Sequence, residues 1–229
     1  MVTRTALVTG AANGIGKATV EALRADGLKV FGLDLSGGGE GVHSADVSDV
    51  ASVADALKRI AMTAERIDVL VNNAGILIES RLRDMRPDDL DRMLAVNIRG
   101  PFIVTQAVLP LMADGGRIVN VASELAYLGR AGASGYAATK GAVLSMTRSW
   151  ARELGPRILV NSVAPGPVDT SLLGFAGMNG EEQALETANP LGRIGRPEEI
   201  AWLIAFLAGP NAGFITGQCF SADGGAAMH

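Results

Sequence analysis

The chain has 229 residues, 48% hydrophobic and 19% charged, with 20 Lys and Arg against 24 Asp and Glu for a net charge of −4. That length suits one packed domain or two small ones, and the composition is that of an ordinary globular protein. The basic residues are scattered, which argues against nucleic acid or an anionic membrane as partner.

A single cysteine, Cys219, excludes an intramolecular disulfide and fits a reducing compartment. With only two histidines beside it, His43 and His229, no metal-ligand cluster is apparent and no metal is expected. The first residues run straight into a strand pattern with no signal peptide before them. No apolar run reads as long enough to span a bilayer, so a cytoplasmic protein is expected.

In chain order, a short apolar β run at 5–9 leads into Gly10-Ala11-Ala12-Asn13-Gly14-Ile15-Gly16, then an amphipathic helix to about Ala25. Strand, glycine-rich turn and helix together make a phosphate site: glycines allow close backbone approach, and the helix N-terminus favours negative charge. The spacing G-x-x-x-G-x-G differs from the commoner G-x-G-x-x-G. A second strand at 29–33 ends at Asp34, where an acidic residue can hold the adenosine ribose of a dinucleotide. Residues 36–41, SGGGEG, are too short and glycine-rich for a helix.

A third strand near 42–45 ends at Asp46-Val47, and a helix follows over about 50–63. The fourth strand, 67–71, ends in Asn72-Asn73-Ala74-Gly75. A helix over 87–98 resumes after Gly100-Pro101 and runs to about Ala113. Asn97 sits inside it without a propensity reason, so its side chain either has a task or is simply exposed.

The apolar strand 117–121 ends at Ala122-Ser123, and after a loop with three glycines Tyr136 opens a helical pattern running to about Leu154. Tyr136 and Lys140 are four apart and share a helix face. A nearby cation lowers a tyrosine pKa from about 10, which suits a phenol for general acid–base work near neutral pH. Ser123 can add a hydrogen bond to the same substrate oxygen.

A strand at 158–164 ends in Pro165-Gly166-Pro167-Val168-Asp169-Thr170. Residues 171–190 are small and polar with weak helical pattern, as in a mobile substrate lid. A helix at 197–207 opens on Pro197, with Glu198 and Glu199 in its first turn. A last strand, 218–222, precedes Asp223-Gly224-Gly225. Alternating strands and helices predict an α/β fold: a doubly wound parallel sheet of about seven strands, helices on both faces, as a single dinucleotide-binding and catalytic domain over 1–229.

The ordered set Thr9-Gly10, Gly14-Ile15-Gly16, Asp46-Val47, Asn72-Asn73-Ala74-Gly75, Asn97, Ser123, Tyr136-x-x-x-Lys140, Pro165-Gly166 and Thr170 resembles the short-chain dehydrogenase/reductase family along the whole chain. The resemblance implies a Rossmann sheet and hydride transfer with a nicotinamide cofactor. It implies Tyr136 as acid/base and Ser123 as the carbonyl or hydroxyl binder. Lys140 would hold the nicotinamide ribose and tune Tyr136, and Asn97 would seat a water in a proton relay. Asn73 and Gly75, with Ala74 between them, would flank the cofactor; Pro165 and Gly166 belong to the same edge, and Val168 with Thr170 would meet the carboxamide. Most family members carry a helix between the second and third strands, where this chain has only 35–41; that trims the adenosine side.

The expected activity is NAD-dependent interconversion of a small secondary alcohol and its ketone. Asp34 points to NAD, since a 2′-phosphate would meet its carboxylate and no Arg or Lys flanks it except Lys17, read as solvent-facing. The alternatives are an NADPH-dependent 3-oxoacyl thioester reductase and a non-catalytic dinucleotide sensor; a sensor would tolerate loss of Ser123, Tyr136 or Lys140, all present here. Candidate pocket residues are Ile76, Leu77, Glu124, Leu125, Leu128, Leu172 and Leu173, with Glu124 either a substrate ligand or a solvated loop residue. Small side chains at Ala137, Ala138, Gly141, Ala142 and Met146, with the apolar segment 214–222, point to a homotetramer.

Overall fold

The computed structural model describes residues 3–228; Met1, Val2 and His229 lie outside them. Its core is one seven-stranded parallel sheet in the order β3-β2-β1-β4-β5-β6-β7. The strands are β1 (Thr5–Thr9), β2 (Lys29–Asp34), β3 (Val42–Ser44), β4 (Ile67–Asn72), β5 (Met112–Val121), β6 (Ile158–Pro165) and β7 (Cys219–Ala222).

Period-two alternation decides which helices each face receives. On β1, Leu7 packs with Leu33, Leu70 and Ile118 against Val53 of α2 (Val50–Ala61), Val104 of α4 (Gly100–Val108) and Val143 of α6 (Ser134–Leu154). Ala6 and Val8 face the other way. They join Val69, Val71 and Val119 under Leu23 of α1 (Gly14–Ala25) and Ile200, Ile204 and Leu207 of α8 (Pro197–Ala208). Both faces are covered, so strands such as β4 are buried along their whole length.

The order runs outward from β1 through β2 to β3, and from β4 through β7 on the other side. The chain therefore reverses direction across the sheet between β1 and β4. In an open parallel sheet that reversal leaves a crevice beyond the carboxyl ends of the strands. The glycine loop, Asp46, Asn73 and Ser123 follow strands there, and Asp34 and Pro165 end theirs. Between β2 and β3 there is no helix; Gly37, Gly38, Gly39 and Gly41 turn the chain with positive φ.

Two expectations need correction, and a third gains detail. The run Pro87–Leu111 is long and apolar enough, by length and composition, to cross a bilayer, with mean hydropathy 1.3. It comprises α3 (Pro87–Leu94), one π-turn (Ala95–Arg99), α4 and a final 3₁₀ turn. Here Met93, Asn97, Ile103, Val104 and Val108 are buried in the protein, while Leu94 and Phe102 are partly exposed. Segment 171–190, read as weakly helical, carries a 3₁₀ turn at Phe175–Gly177 and α7 (Gly180–Glu186), whose start is a capping box between Asn179 and Glu182. Met146 is buried and Ala137 packs against the cluster around Met93 and Tyr136, so the outward small-residue face of α6 consists of Ala138, Gly141 and Ala142.

Candidate active site

The glycine loop is held from behind. Asn73 donates through Nδ2 to the Thr9 and Gly10 carbonyls at 2.9 and 3.1 Å, while Thr9 Oγ1 accepts the amides of Asn73 and Ala74, both at 3.0 Å. Gly16 has no room for a side chain: a Cβ there would sit 1.9 Å from the Gly10 carbonyl oxygen. Gly14 has φ +51°, and a Cβ would meet Thr170 Cγ2 at 2.9 Å. Only glycine fits either place.

Two connected hollows run from this loop. One, of about 390 Å³, is lined by Gly10, Asn13, Gly14, Ile15, Asp34, Asn73, Ala74, Gly75 and Thr170. The other, of about 190 Å³, is bounded by Asp34, Leu35, Asp46, Val47, Ala74 and Ile76. With the open N-terminus of α1 between them, the crevice fits the pyrophosphate and adenosine half of a nicotinamide dinucleotide. Asp34 accepts from the Ala12 amide at 3.0 Å and from the Ser36 hydroxyl at 2.8 Å, so its carboxylate is oriented at the end of β2. Lys17 is exposed, as read from the sequence. Asp46 accepts the amide and hydroxyl of Ser48, just ahead of Asp49, the N-cap of α2.

A third cavity, of about 120 Å³, continues from Ile15, Asn73, Gly75, Val168 and Thr170 to Ser123, Tyr136 and Lys140. Ser123, Glu124, Leu125, Leu77, Pro165, Gly166, Leu172 and Leu173 complete it. Leu128 is half exposed and outside this lining, because the short helix α5 (Leu125–Leu128) turns it outward. Ile76 lines the hollow beside Asp34 and Asp46 instead. A larger hollow of about 780 Å³ lies between α1 and α8, remote from these groups.

The electrostatics differ from the sequence expectation. The Tyr136 hydroxyl is not lowered: burial pushes it up to about 12, Glu124 adds to that, and a hydrogen bond with Ser123 and the charge of Arg130 oppose it. Lys140 donates to the Val121 carbonyl at 2.8 Å, with Nζ 5.6 Å from the Tyr136 ring centroid. Burial lowers Lys140 to about 8. Four-residue spacing does bring the pair to one face, but the ammonium is anchored on β5 rather than on the phenol.

Asn97 lies in the π-turn and is fully buried. Its Nδ2 donates to the Ile76 carbonyl at 2.9 Å and to Thr139 Oγ1 at 3.0 Å, while Oδ1 accepts the Ile76 amide at 2.8 Å. The π-turn widens the helix locally and aims this side chain inward. Asn97 Oδ1 and Lys140 Nζ both border Gly75, each 3.4 Å from where a Cβ would stand.

Glu124 is 7% exposed, so it is no solvated loop residue. Burial, Asp223 and Glu186 push its carboxyl up to about 8 against the opposing charge of Arg130. Sequence reasoning missed Arg130, Glu186 and Asp223, and also a buried ladder from Thr105 through Asn72 and Asn120 to Thr147. The ladder's signal was present: Asn72 and Asn120 are polar residues within apolar strand runs.

Residues 10–227 match the family model described as enoyl-(acyl carrier protein) reductase. Among curated proteins, the chain is 40% identical to the 3-oxoacyl-(acyl-carrier-protein) reductase FabG of Thermotoga maritima, over 96% of each chain. Among solved structures, a blue fluorescent protein from a metagenomic library, in complex with NADPH, is 38% identical with a TM-score of 0.90 over 98% of each chain. A short-chain dehydrogenase/reductase of Brucella melitensis, described as glucose/ribitol dehydrogenase, is 34% identical with a TM-score of 0.91, covering 99% of this chain and 97% of the other.

Proposed function

This chain belongs to the short-chain dehydrogenase/reductase family, a family of oxidoreductases, and on that footing we propose that it interconverts a small secondary alcohol and its ketone with NAD. The observation that carries this reading is the meeting of Ser123 and Tyr136 on one small, mostly apolar cavity at the end of the dinucleotide crevice. When bound, the nicotinamide supplies the hydride donor or acceptor.

In reduction, the buried Tyr136 phenol gives its proton to the ketone oxygen while Ser123 stabilises the developing alkoxide. In oxidation the phenolate takes the alcohol proton, and the Lys140 ammonium over its ring favours that charged form. Asn97 and Lys140, meeting beside Gly75, are assigned the proton path away from Tyr136. Asn73, Ala74, Gly75, Pro165, Gly166, Val168 and Thr170 would hold the nicotinamide half, and Asp46 with Val47 the adenine. Segment 171–190 serves as the substrate lid. A cytoplasmic homotetramer completes the reading, supported by the outward apolar side chains Phe102, Trp202, Phe206 and Phe214.

A second reading, an NADPH-dependent 3-oxoacyl thioester reductase, draws support from the FabG relatives and the NADPH-bound neighbour. Asp34 weighs the other way. Its carboxylate would face a 2′-phosphate next to exposed Leu35, at a cost of a few kcal/mol at contact distance, or about 100-fold in preference. Steady-state kcat/KM with each cofactor, on secondary alcohols and on 3-oxoacyl thioesters, decides between them. NAD should be favoured in the wild type, and Asp34→Ala with Leu35→Arg should move preference toward NADP. A wild-type ratio near one, or one favouring NADP, overturns the NAD assignment.

A further inference from the structure

The substrate cavity holds one carboxyl oxygen that no hydrogen bond among the described residues uses. Glu124 Oε2 is buried without a hydrogen-bond partner, and the whole residue is 7% exposed. It faces Gly166, where a Cβ would stand 3.0 Å from Oε2 and 2.7 Å from Asp223 Cα, so glycine there keeps the carboxyl open to the cavity. An unpaired buried polar atom costs free energy unless a ligand completes it.

The charged groups around Glu124 are already committed. Arg130 is paired with Glu186 and Glu79. Asp223 accepts the amides of Gly225 and Ala227 at 2.9 and 2.8 Å. An anionic substrate would meet the carboxyl groups of Glu124 and Glu186, while the cations of this lining are held elsewhere, Arg130 by its two glutamates and Lys140 by the Val121 carbonyl. Glu124 itself, at about 8, is protonated at neutral pH. A carboxylic acid then offers one donor and one acceptor. A hydroxyl answers both; a carbonyl answers only the donor.

We propose that Glu124 is the specificity-determining residue of this site and that it selects an uncharged substrate carrying a second hydroxyl beside the reacting carbinol carbon, a small vicinal diol or its hydroxyketone. This rests on the alcohol–ketone reading above. The Tyr136 phenolate takes the proton of the reacting hydroxyl, a bound oxidised nicotinamide would accept the hydride, and the second hydroxyl stays intact on Glu124.

The test compares kcat/KM for butane-2,3-diol and cyclohexane-1,2-diol with the matching mono-alcohols and with 3-aminobutan-2-ol, in wild type, Glu124→Gln and Glu124→Leu. The diols should lead the mono-alcohols by at least about tenfold, the scale of a completed buried hydrogen bond. Glu124→Gln, which keeps a donor and an acceptor, should hold that lead within about threefold, and Glu124→Leu should lose it. In wild type the diol KM should rise as pH passes 8, as Glu124 ionises among Asp223, Glu186, Arg130, Tyr136 and Lys140; in Glu124→Gln, where Lys140 still titrates near 8, the rise should be clearly smaller. Equal use of diols and mono-alcohols, a diol preference surviving in Glu124→Leu, a flat wild-type pH profile, or preference for the amino alcohol overturns the proposal. If Glu124→Leu does not fold, the Glu124→Gln variant and the pH profile decide. Failure to oxidise any alcohol sinks the parent reading instead, and is told apart by that blank across all probes.

Discussion

Arg130 Nη1 lies 2.5 Å from Glu186 Oε1, an ion pair that ties the turn ahead of α6 to the last residue of α7. The other arm of Arg130 reaches Glu79 in the segment after β4, so one side chain joins three segments of the chain. Glu186 is almost wholly buried, and stripping its partner would leave an uncompensated charge. Arg130→Met should therefore loosen the cover over the substrate without touching the glycine loop. Substrate KM should rise on the order of tenfold, while cofactor affinity by fluorescence titration stays within about twofold. An unchanged KM would remove the latch from the account.

Tyr136→Phe should leave cofactor binding intact and lower kcat by at least about 100-fold, the scale of a lost acid/base group. Because burial holds the Tyr136 phenol up at about 12, little phenolate exists near neutrality. Alcohol oxidation in the wild type should accordingly climb as pH rises from 7 to 10, more steeply than ketone reduction falls. The idea fails if the Phe variant retains half of wild-type turnover.

Glu124 makes a stability prediction of definite sign. Its carboxyl is raised from 4.5 unfolded to about 8 folded, so the native state holds the extra proton between those values. Stability from this group is intact below 4.5 and declines as pH rises toward 8. Glu124→Gln removes that cost, which is at most a few kcal/mol. Thermal unfolding should show the variant ahead by about 3 °C or more at pH 8.5 and level with wild type at pH 4.5. Equal Tm values at both pH values would falsify the buried-acid assignment.

Gly14→Ala places a methyl against Thr170 at a backbone φ of +51°. Circular dichroism should stay that of the wild type, because the loop lies outside the sheet. Dinucleotide affinity should fall by at least about tenfold, since the backbone can no longer approach the pyrophosphate. Undiminished affinity would mean that the cofactor does not lie on this loop.

Static light scattering at micromolar concentration should give the mass of four chains. Phe214, fully exposed, and Trp202, 60% exposed, supply apolar surface that a twofold contact can cover. A monomer at that concentration would rule the assembly out.

The chain's own order already contained the sheet, the glycine loop and the Tyr136–Lys140 pair. These rest on short-range regularities: strands alternate every second residue, the loop spans seven positions, and four residues make about one helical turn. Asp34 could be placed because it directly follows a readable strand. What only the tertiary structure decided are meetings between distant segments. Arg130 and Glu186 are 56 positions apart, and no periodicity links them. The burial of Glu124 depends on Gly166 and Asp223 closing over it from β6 and β7. The direction of the Tyr136 shift reversed for the same reason: desolvation is set by everything packed around the phenol, while the sequence shows only its nearest charged neighbour. Lys140 found a closer partner in the Val121 carbonyl, which the sheet delivers and helix spacing cannot foresee.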